Sequence, residues 1–255
     1  MATLLQLLPA NVFAVMLIFA RIGTALMLLP GFGEFYVYRR FRLLLAFLIA
    51  VLLTPLLAPL LPPLPGGAVK LAGMVGSEVV IGLFLGSVSR ILLAALDIAG
   101  TIVSFQLGLS AAQMFNPMAG STSPLTSTLY SILGVLLIFL TDLHHMLLRS
   151  LVDSYDVFAP GVMPPLGDLS EMITRSVAGA FAIGFGMAAP FIVLGLMFYV
   201  ALGIVGRLVP QLQIMFVTMP AQILGGLVVL VFVLSAGMEW FLDAFQREFT
   251  TFTGG

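Results

Sequence analysis

Few side chains in this sequence could support chemistry, and the densest group of them surrounds the only two histidines. His144 and His145 lie close to Asp142, and histidines beside a carboxylate can bind a divalent metal ion or transfer protons. Histidines that share an ion on a helix are usually four residues apart, whereas neighbours point about 100° apart. The spacing therefore favours an interfacial or packing role. We predict no catalytic residue, no metal and no cofactor.

Four further charged residues lie within or beside long apolar runs, namely Arg21, Glu78, Arg90 and Asp97. An ionised group in hydrocarbon is costly, so such residues usually pair or face a water-filled cavity. One interpretation is a relay for protons or ions, and the other is pairing between helices for assembly. Because these groups are so few, pairing is favoured. Asp97 is expected at a helix end that water reaches.

The composition defines the environment of these groups. Of the 255 residues, 61% are hydrophobic and only 8% are charged, whereas soluble domains carry about 25% charged residues. The mean hydropathy is +1.19, the net charge is −1 and the chain has no cysteine. These values exclude a soluble enzyme, a disordered chain and a disulfide scaffold, and they provide no basic surface for nucleic acid. The remaining class is an all-α integral membrane protein.

Apolar runs divided by proline and glycine predict about six long, partly proline-broken helices arranged in hairpins. Crossing about 30 Å of hydrocarbon takes about 20 residues in a helix, and the alternation of barrel strands is absent. Residues 1–20 lack the basic start of a cleaved signal peptide. The predicted helices span 8–29, 41–58, 71–96, 125–148, 172–206 and 221–246, with a shorter helix near 98–115. Ser123 is a plausible N-cap of the fourth helix, and Pro210 and Pro220 bracket the last turn.

Arginines between the first two helices predict the orientation. Arg39, Arg40 and Arg42 form the densest basic cluster, which the positive-inside rule places in the cytoplasm. The N-terminus then lies on the opposite side of the membrane. If residues 98–115 do not cross completely, residues 142–171 lie outside and Arg207 lies in the cytoplasm. If they cross, every later segment changes side.

Residues 98–124 are the most unusual segment. Small residues recur every four positions, which lets another helix approach closely, and the helix is expected to break at Asn116-Pro117. Non-helical backbone at membrane depth survives only if protein buries it or it lines a cavity. The segment is thus either a plug-like loop with a soft hydrophobic constriction or an ordinary connection between helices. Composition alone favours the ordinary connection. The small residues are Gly100, Ser104, Gly108 and Ala112, and the constriction would contain Met114, Phe115 and Met118.

The turn between the last two predicted helices joins apolar segments through polar residues and a proline. It is either a hairpin turn with a positive-inside anchor or a docking surface for a cytosolic or membrane partner. Its distinctive residues are Arg207, Pro210, Gln211, Gln213 and Phe216.

Four stretches together resemble the FliR family, the flagellar members of the type III secretion export-gate proteins. They are ARIG at 20–23, PGFG to RRFR at 30–42, QLGLSAAQMFNP at 106–117 and GRLVPQLQIMFVTMP at 206–220. The resemblance runs in the expected order over nearly the whole chain, and its last stretch is the most specific.

The resemblance implies a non-enzymatic core subunit of the flagellar export gate. Such proteins assemble with FliP- and FliQ-like subunits into a helical, conical channel for unfolded flagellar subunits, with FlhB- and FlhA-like proteins at its cytoplasmic side. The implied site is the bacterial inner membrane at the flagellar basal body, in contact with lipid and with a periplasmic N-terminus. Within one membrane domain, 1–255, residues 1–170 would be FliP-like and residues 171–255 a FliQ-like hairpin.

The resemblance also implies roles for two groups of residues. The loop 106–122 would project into the channel and close it, and methionine and phenylalanine could seal a pore yet repack around an extended chain. The last turn would contact the cytoplasmic partners. The plug residues are Leu109, Met114, Phe115, Asn116 and Met118, and the partner-binding residues are Arg207, Pro210, Gln211, Gln213 and Phe216.

Three alternatives stay open at this point. An injectisome export-gate homologue would share these motifs. A small-molecule or ion transporter would need paired inverted repeats and coupling carboxylates, but the sequence shows no repeat and its coupling groups are sparse. An intramembrane enzyme using Asp142, His144 and Asp153 is the weakest alternative, because the spacing of these residues does not suit a shared site.

Overall fold

The computed structural model describes residues 2–109, 124–208 and 214–253, with side chains over 11–109, 124–208 and 218–249. Every regular element in these ranges is helical, which confirms the predicted all-α class. The helices are α1 (Ala2–Leu26), α2 (Arg39–Leu57), α3 (Ala68–Gln106), α4 (Leu125–Leu140), α5 (Leu143–Val157), α6 (Leu166–Leu208) and α7 (Ile214–Thr253), with a short 3-10 turn at Ala58–Leu60.

Four of the described helical segments are long and apolar enough to span a membrane. A fifth span arises if α4 and α5, which are bent by 75° at their junction, are counted together. A shorter apolar helix covers Asn11–Leu26. The chain is therefore a membrane protein of the predicted kind. The four segments are Arg39–Leu60, Ala68–Gln106, Leu166–Leu208 and Thr218–Phe249.

The predicted boundary between a helix at 71–96 and a shorter one at 98–115 is wrong. α3 continues through Asp97, whose carboxylate accepts hydrogen bonds from the hydroxyls of Ser127, at 3.0 Å, and Ser131. Both serines belong to α4. Because hydroxyls of α4 donate hydrogen bonds to this carboxylate, α3 continues past its charge.

A glycine, rather than the predicted Asn116-Pro117, ends α3. Gly108 has a φ of +72°, and its amide donates to the carbonyl of Phe105 at 3.1 Å. The amide of Leu109 donates to the carbonyl of Ser104 at 3.1 Å. This pair of bonds is a Schellman motif, which glycine favours because it lacks a Cβ. Asn116-Pro117 lies outside the described residues.

The predicted helix 125–148 is divided into α4 and α5. Asp142 separates them and has a left-handed backbone with a φ of 58°, which aspartate tolerates better than most residues. At the other end, the carbonyl of Pro124 accepts the amide of Thr128 at 3.1 Å. The predicted N-cap, Ser123, lies outside the described residues. Pro220 does not bracket the last turn as predicted, because α7 already begins at Ile214.

The chain forms two compact units. Unit 1 contains Met1–Leu92, Ile138–Val177 and Glu248–Gly255, and unit 2 contains Leu93–Leu137 and Ala178–Arg247. One apolar cluster of unit 1 is built on Phe13, Leu17 and Met74, and the largest buried side chains of unit 2 include Phe191, Phe241 and Phe245.

Candidate functional site

A fully buried ion pair lies in unit 1. Both Arg21 and Glu78 are 0% exposed, and the guanidinium donates to the carboxylate through Nε at 2.6 Å and Nη2 at 3.2 Å. The carboxylate also accepts the amide of Gly161 at 2.7 Å. A two-pronged arginine–carboxylate pair of this kind is both strong and directional. The pair thus joins α1 and α3 to the segment that follows α5.

The remaining donors of Arg21 are satisfied by α5 and the residue after it. Nη1 donates to the carbonyl and hydroxyl of Ser154 at 3.1 and 3.2 Å, and Nη2 donates to the carbonyl of Phe158 at 3.1 Å. The guanidinium carbon lies 3.9 Å from the centre of the Tyr155 ring. All three nitrogens of the guanidinium therefore donate hydrogen bonds within one chain, which supports the interpretation of pairing between helices over that of a proton relay.

A second ion pair lies at the edge of unit 1. Arg90 of α3 donates to Glu34, which belongs to the connector between α1 and α2. The arginine side chain is 48% exposed, so solvent screens this pair far more than the buried one. The pKa of the nearby Tyr36 phenol is raised by partial burial and then by the charge of Glu34, whereas Arg90 opposes the rise.

Close packing in unit 2 joins α3 to the start of α4. The hydroxyl of Thr126 donates to the carbonyl of Gly100 at 2.5 Å, and a Cβ at this glycine would overlap the backbone of Ser127. The predicted close approach of another helix to the small-residue stripe is confirmed at Gly100.

The end of α3 is held by α7. The last carbonyls of a helix have no partner within it, and Gln222 donates its side-chain amide to the carbonyl of Gln106 at 2.6 Å. The same amide nitrogen lies 3.4 Å from the hydroxyl of Tyr199 on α6. A side chain of the last hairpin thus satisfies the helix end from which the loop 106–122 departs.

Two glycines permit this approach. A Cβ at Gly226 of α7 would overlap the side chain of Leu107, and a Cβ at Gly195 of α6 would overlap the amide of Gln106. A cavity of about 50 Å³, lined mainly by apolar side chains, lies beside these contacts. We call the contacts of Gln106 and Leu107 with Gly195, Gln222 and Gly226 the α3 clamp.

The structure describes only some of the residues predicted to act in the plug and the turn. Leu109 is partly buried and belongs to the Schellman motif, and Arg207 is exposed in the last turn of α6. Phe216 lies in α7, but its side chain is outside the described residues. Met114, Phe115, Asn116, Met118, Pro210, Gln211 and Gln213 also lie outside them.

Sequence reasoning missed the α3 clamp. Gln106 and Gln222 are amides in apolar surroundings, which suggests a polar contact for each but does not identify the partner. Gly195 and Gly226 resemble the many other glycines of the chain until their neighbours are known.

Together these observations define a class of protein: an all-α membrane protein whose helices are joined by buried polar contacts and close glycine packing. Comparison with known proteins narrows this class. The family model for bacterial export proteins, family 1, matches residues 12–248, so the chain belongs to this family.

Individual relatives agree with this assignment. The flagellar biosynthetic protein FliR of Caulobacter vibrioides is 38% identical over 244 residues, which cover 95% of this chain and 97% of that protein. FliR of Bacillus subtilis is 32% identical over 161 residues, or 62% of each chain. The Yop proteins translocation protein T of Yersinia pestis is 30% identical over 163 residues, or 61% of this chain and 60% of that protein. The resemblance to the FliR family is confirmed.

Proposed function

We propose that the chain is a non-enzymatic core subunit of a flagellar type III export gate in the bacterial inner membrane. With FliP- and FliQ-like subunits it forms the channel through which unfolded flagellar subunits leave the cytoplasm. The observation that carries this proposal is the 38% identity to a FliR protein over 95% of the chain. The shorter match to the Yop translocation protein, 61% of the chain, makes an injectisome role the second candidate.

The arrangement of the chain follows from the same proposal. Residues 1–170 are FliP-like, and residues 171–255 form a FliQ-like hairpin whose two long helices are α6 and α7. The arginines at the start of α2 lie in the cytoplasm and the N-terminus lies in the periplasm.

The loop 106–122 closes the pore in this proposal. One end of the loop continues directly from α3, whose last carbonyl, at Gln106, accepts the side-chain amide of Gln222 on α7 at 2.6 Å. The other end leads into α4, where the hydroxyl of Thr126 donates to the carbonyl of Gly100 on α3 at 2.5 Å. A loop with fixed ends can hold its tip in one place, which a plug requires. Leu109, Met114, Phe115, Asn116 and Met118 provide the closing surface.

The turn from Arg207 to Phe216 binds the FlhB- and FliQ-like partners, with FlhA-like protein nearby. Arg207 supports this role, because its exposed cation ends a helix of 43 residues at the side that the positive-inside rule assigns to the cytoplasm. Pro210, Gln211, Gln213 and Phe216 are the other residues that we assign to this contact.

Co-purification tests the proposal most directly. The chain carries a C-terminal tag, native membranes are extracted in mild detergent, and the proteins in the complex are identified by mass spectrometry. We expect FliP- and FliQ-like proteins in one large complex. A lone monomer or homodimer in several detergents would contradict the export-gate assignment and favour a transporter.

A further inference from the structure

The bend between α4 and α5 brings together three side chains that can bind a metal ion. Asp142, His144 and His145 each offer one ligand atom, and these atoms lie within 4.8 Å of one another. The two residues His144 and His145 are the only histidines in the chain. The site lies away from the α3 clamp in sequence and belongs to unit 1.

The two histidines are closer than their sequence positions predicted. Their ring centroids are 4.1 Å apart and the ring planes differ by 39°, so the expected divergence of about 100° along the helix does not separate the rings. Asp142 precedes α5 with a left-handed backbone, and its carboxylate lies 3.5 Å from Nδ1 of His145. The spacing argument against a shared ion therefore does not hold for the folded chain.

Two of these groups lack the partners that such groups usually have. Asp142 occupies the N-cap of α5, but its side chain makes no capping hydrogen bond, although aspartate is a preferred capping residue. The Nδ1 atom of His144 is buried and has no hydrogen-bond partner in the part of the chain that the structure describes. A buried nitrogen without a partner is costly, so a ligand at Nδ1 of His144 would be favourable, and the carboxylate of Asp142 is not occupied by the helix end.

The positions of the side chains suit a site that closes around an ion. The ring of His144 is stacked on Phe139, with centroids 4.8 Å apart and planes differing by 18°, which fixes one ligand. Asp142 and His145 are 79% and 72% exposed, so rotation about their side-chain bonds is unhindered by packing. Zinc ligands lie about 2.0–2.2 Å from the ion, which places them roughly 3.4 Å from one another. The Asp142–His145 distance of 3.5 Å is close to this value, and ligand atoms up to 4.8 Å apart must approach by at most about 1.4 Å.

We infer that Asp142, His144 and His145 form a binding site for a zinc-like divalent cation at the bend. Two imidazole nitrogens and one carboxylate are a donor set that zinc accepts, with water in the fourth position. Since the three ligands come from the residues that form the bend, the ion stabilises the left-handed backbone of Asp142. It thereby stabilises the 75° angle between α4 and α5.

The composition of the chain makes the test specific. The chain has no cysteine and no other histidine, so coordination of a transition metal by imidazole must involve this pair. The full-length protein is purified in detergent with a tag that contains no histidine and is titrated with Co²⁺, whose visible absorption reports nitrogen coordination. We expect saturation at one Co²⁺ per chain and displacement by Zn²⁺.

Exposed ligands provide the decisive variants, because their removal does not disturb the core. We expect Asp142→Asn and His145→Ala to weaken Co²⁺ binding by about tenfold or more, since even changes behind the ligands have effects of that size. Asp156→Asn removes an exposed carboxylate from the same helix and should bind Co²⁺ as the unaltered protein does.

Several results would overturn the inference. They are the absence of saturable binding in the unaltered protein, and unchanged affinity in His145→Ala or in Asp142→Asn. Helix content, measured by circular dichroism without metal, must be equal in all variants, so that loss of binding cannot be attributed to unfolding. His144→Ala, which removes the stacked ring, should also weaken Co²⁺ binding, and it is measured under the same requirement of equal helix content.

Discussion

The side-chain amide of Gln222 donates a hydrogen bond of 2.6 Å to the main-chain carbonyl of Gln106, 116 residues earlier in the chain. This bond satisfies the exposed end of α3 with a group from α7, and it lies just before the loop proposed to close the pore. The last hairpin and the base of the loop are thus in direct contact.

Replacement of Gln222 by methionine should increase ion leak through the resting export gate. Methionine has a similar length but donates no hydrogen bond, and loss of a neutral bond costs about 1 kcal/mol, or roughly a fivefold change in an equilibrium. The leak is measured in membranes that contain the assembled complex.

Leu224→Met is the control, because Leu224 is 66% exposed on the same helix. It should leave the leak unchanged. An unchanged leak in a fully assembled Gln222→Met complex would show that the α3 clamp does not position the loop.

Deletion of residues 110–119 should open the resting channel to ions, because it removes four of the five proposed closing side chains and leaves only Leu109. Replacement of the same residues by glycine and serine at equal length separates the effect of side chains from that of loop length. Both variants should leak if methionine and phenylalanine form the seal. Wild-type conductance in the deletion variant would rule out the plug.

Glu78→Gln should destabilise unit 1 strongly. The substitution keeps the shape of the side chain but leaves the charge of Arg21 buried without a counterion, which typically costs about 3–5 kcal/mol. Thermal unfolding in detergent measures the loss. The double variant Arg21→Met/Glu78→Met should lose less stability, because no unpaired charge remains.

The partly exposed pair provides the comparison for this prediction. Glu34→Gln should change stability by about 1 kcal/mol or less, because solvent screens Arg90. Equal losses in Glu78→Gln and Glu34→Gln would show that burial of the Arg21–Glu78 pair contributes nothing particular.

Gly82→Ala should loosen the contact between α1 and α3. A Cβ at this position would overlap the backbone carbonyl of Arg21 and the hydroxyl of Thr24, and backbone cannot move away easily. Overpacking of this kind costs about 1–3 kcal/mol, which unfolding in detergent can measure.

Gly76→Ala is the matched control on the same helix, since nothing lies within 4 Å of the added Cβ. Alanine favours helix over glycine by about 1 kcal/mol, so this variant should be as stable as the unaltered protein or more stable. A loss of stability in Gly76→Ala as large as in Gly82→Ala would contradict the steric explanation.

Local sequence was sufficient for the class of fold and for the family. Long apolar runs identify membrane helices because the hydrophobicity of neighbouring residues adds up along one helix. The bilayer also requires the backbone groups of a spanning segment to form their hydrogen bonds within the helix. The motifs at 20–23, 106–117 and 206–220 identified the FliR resemblance in the same way, since each is a continuous stretch.

Contacts between distant residues decided the rest. Asp97 remains inside α3 because Ser127 and Ser131 satisfy it, and no neighbour in sequence indicates this. Arg21 and Glu78 are 57 residues apart, so the sequence could suggest that each needs a partner but could not identify it. The sequence predicted Gly108 inside a helix, whereas in the structure it ends α3, and the partner of the carbonyl at Gln106 comes from α7. Hydrophobic patterning acts over a few turns of one helix, whereas a buried polar group is satisfied by whichever helix packs against it.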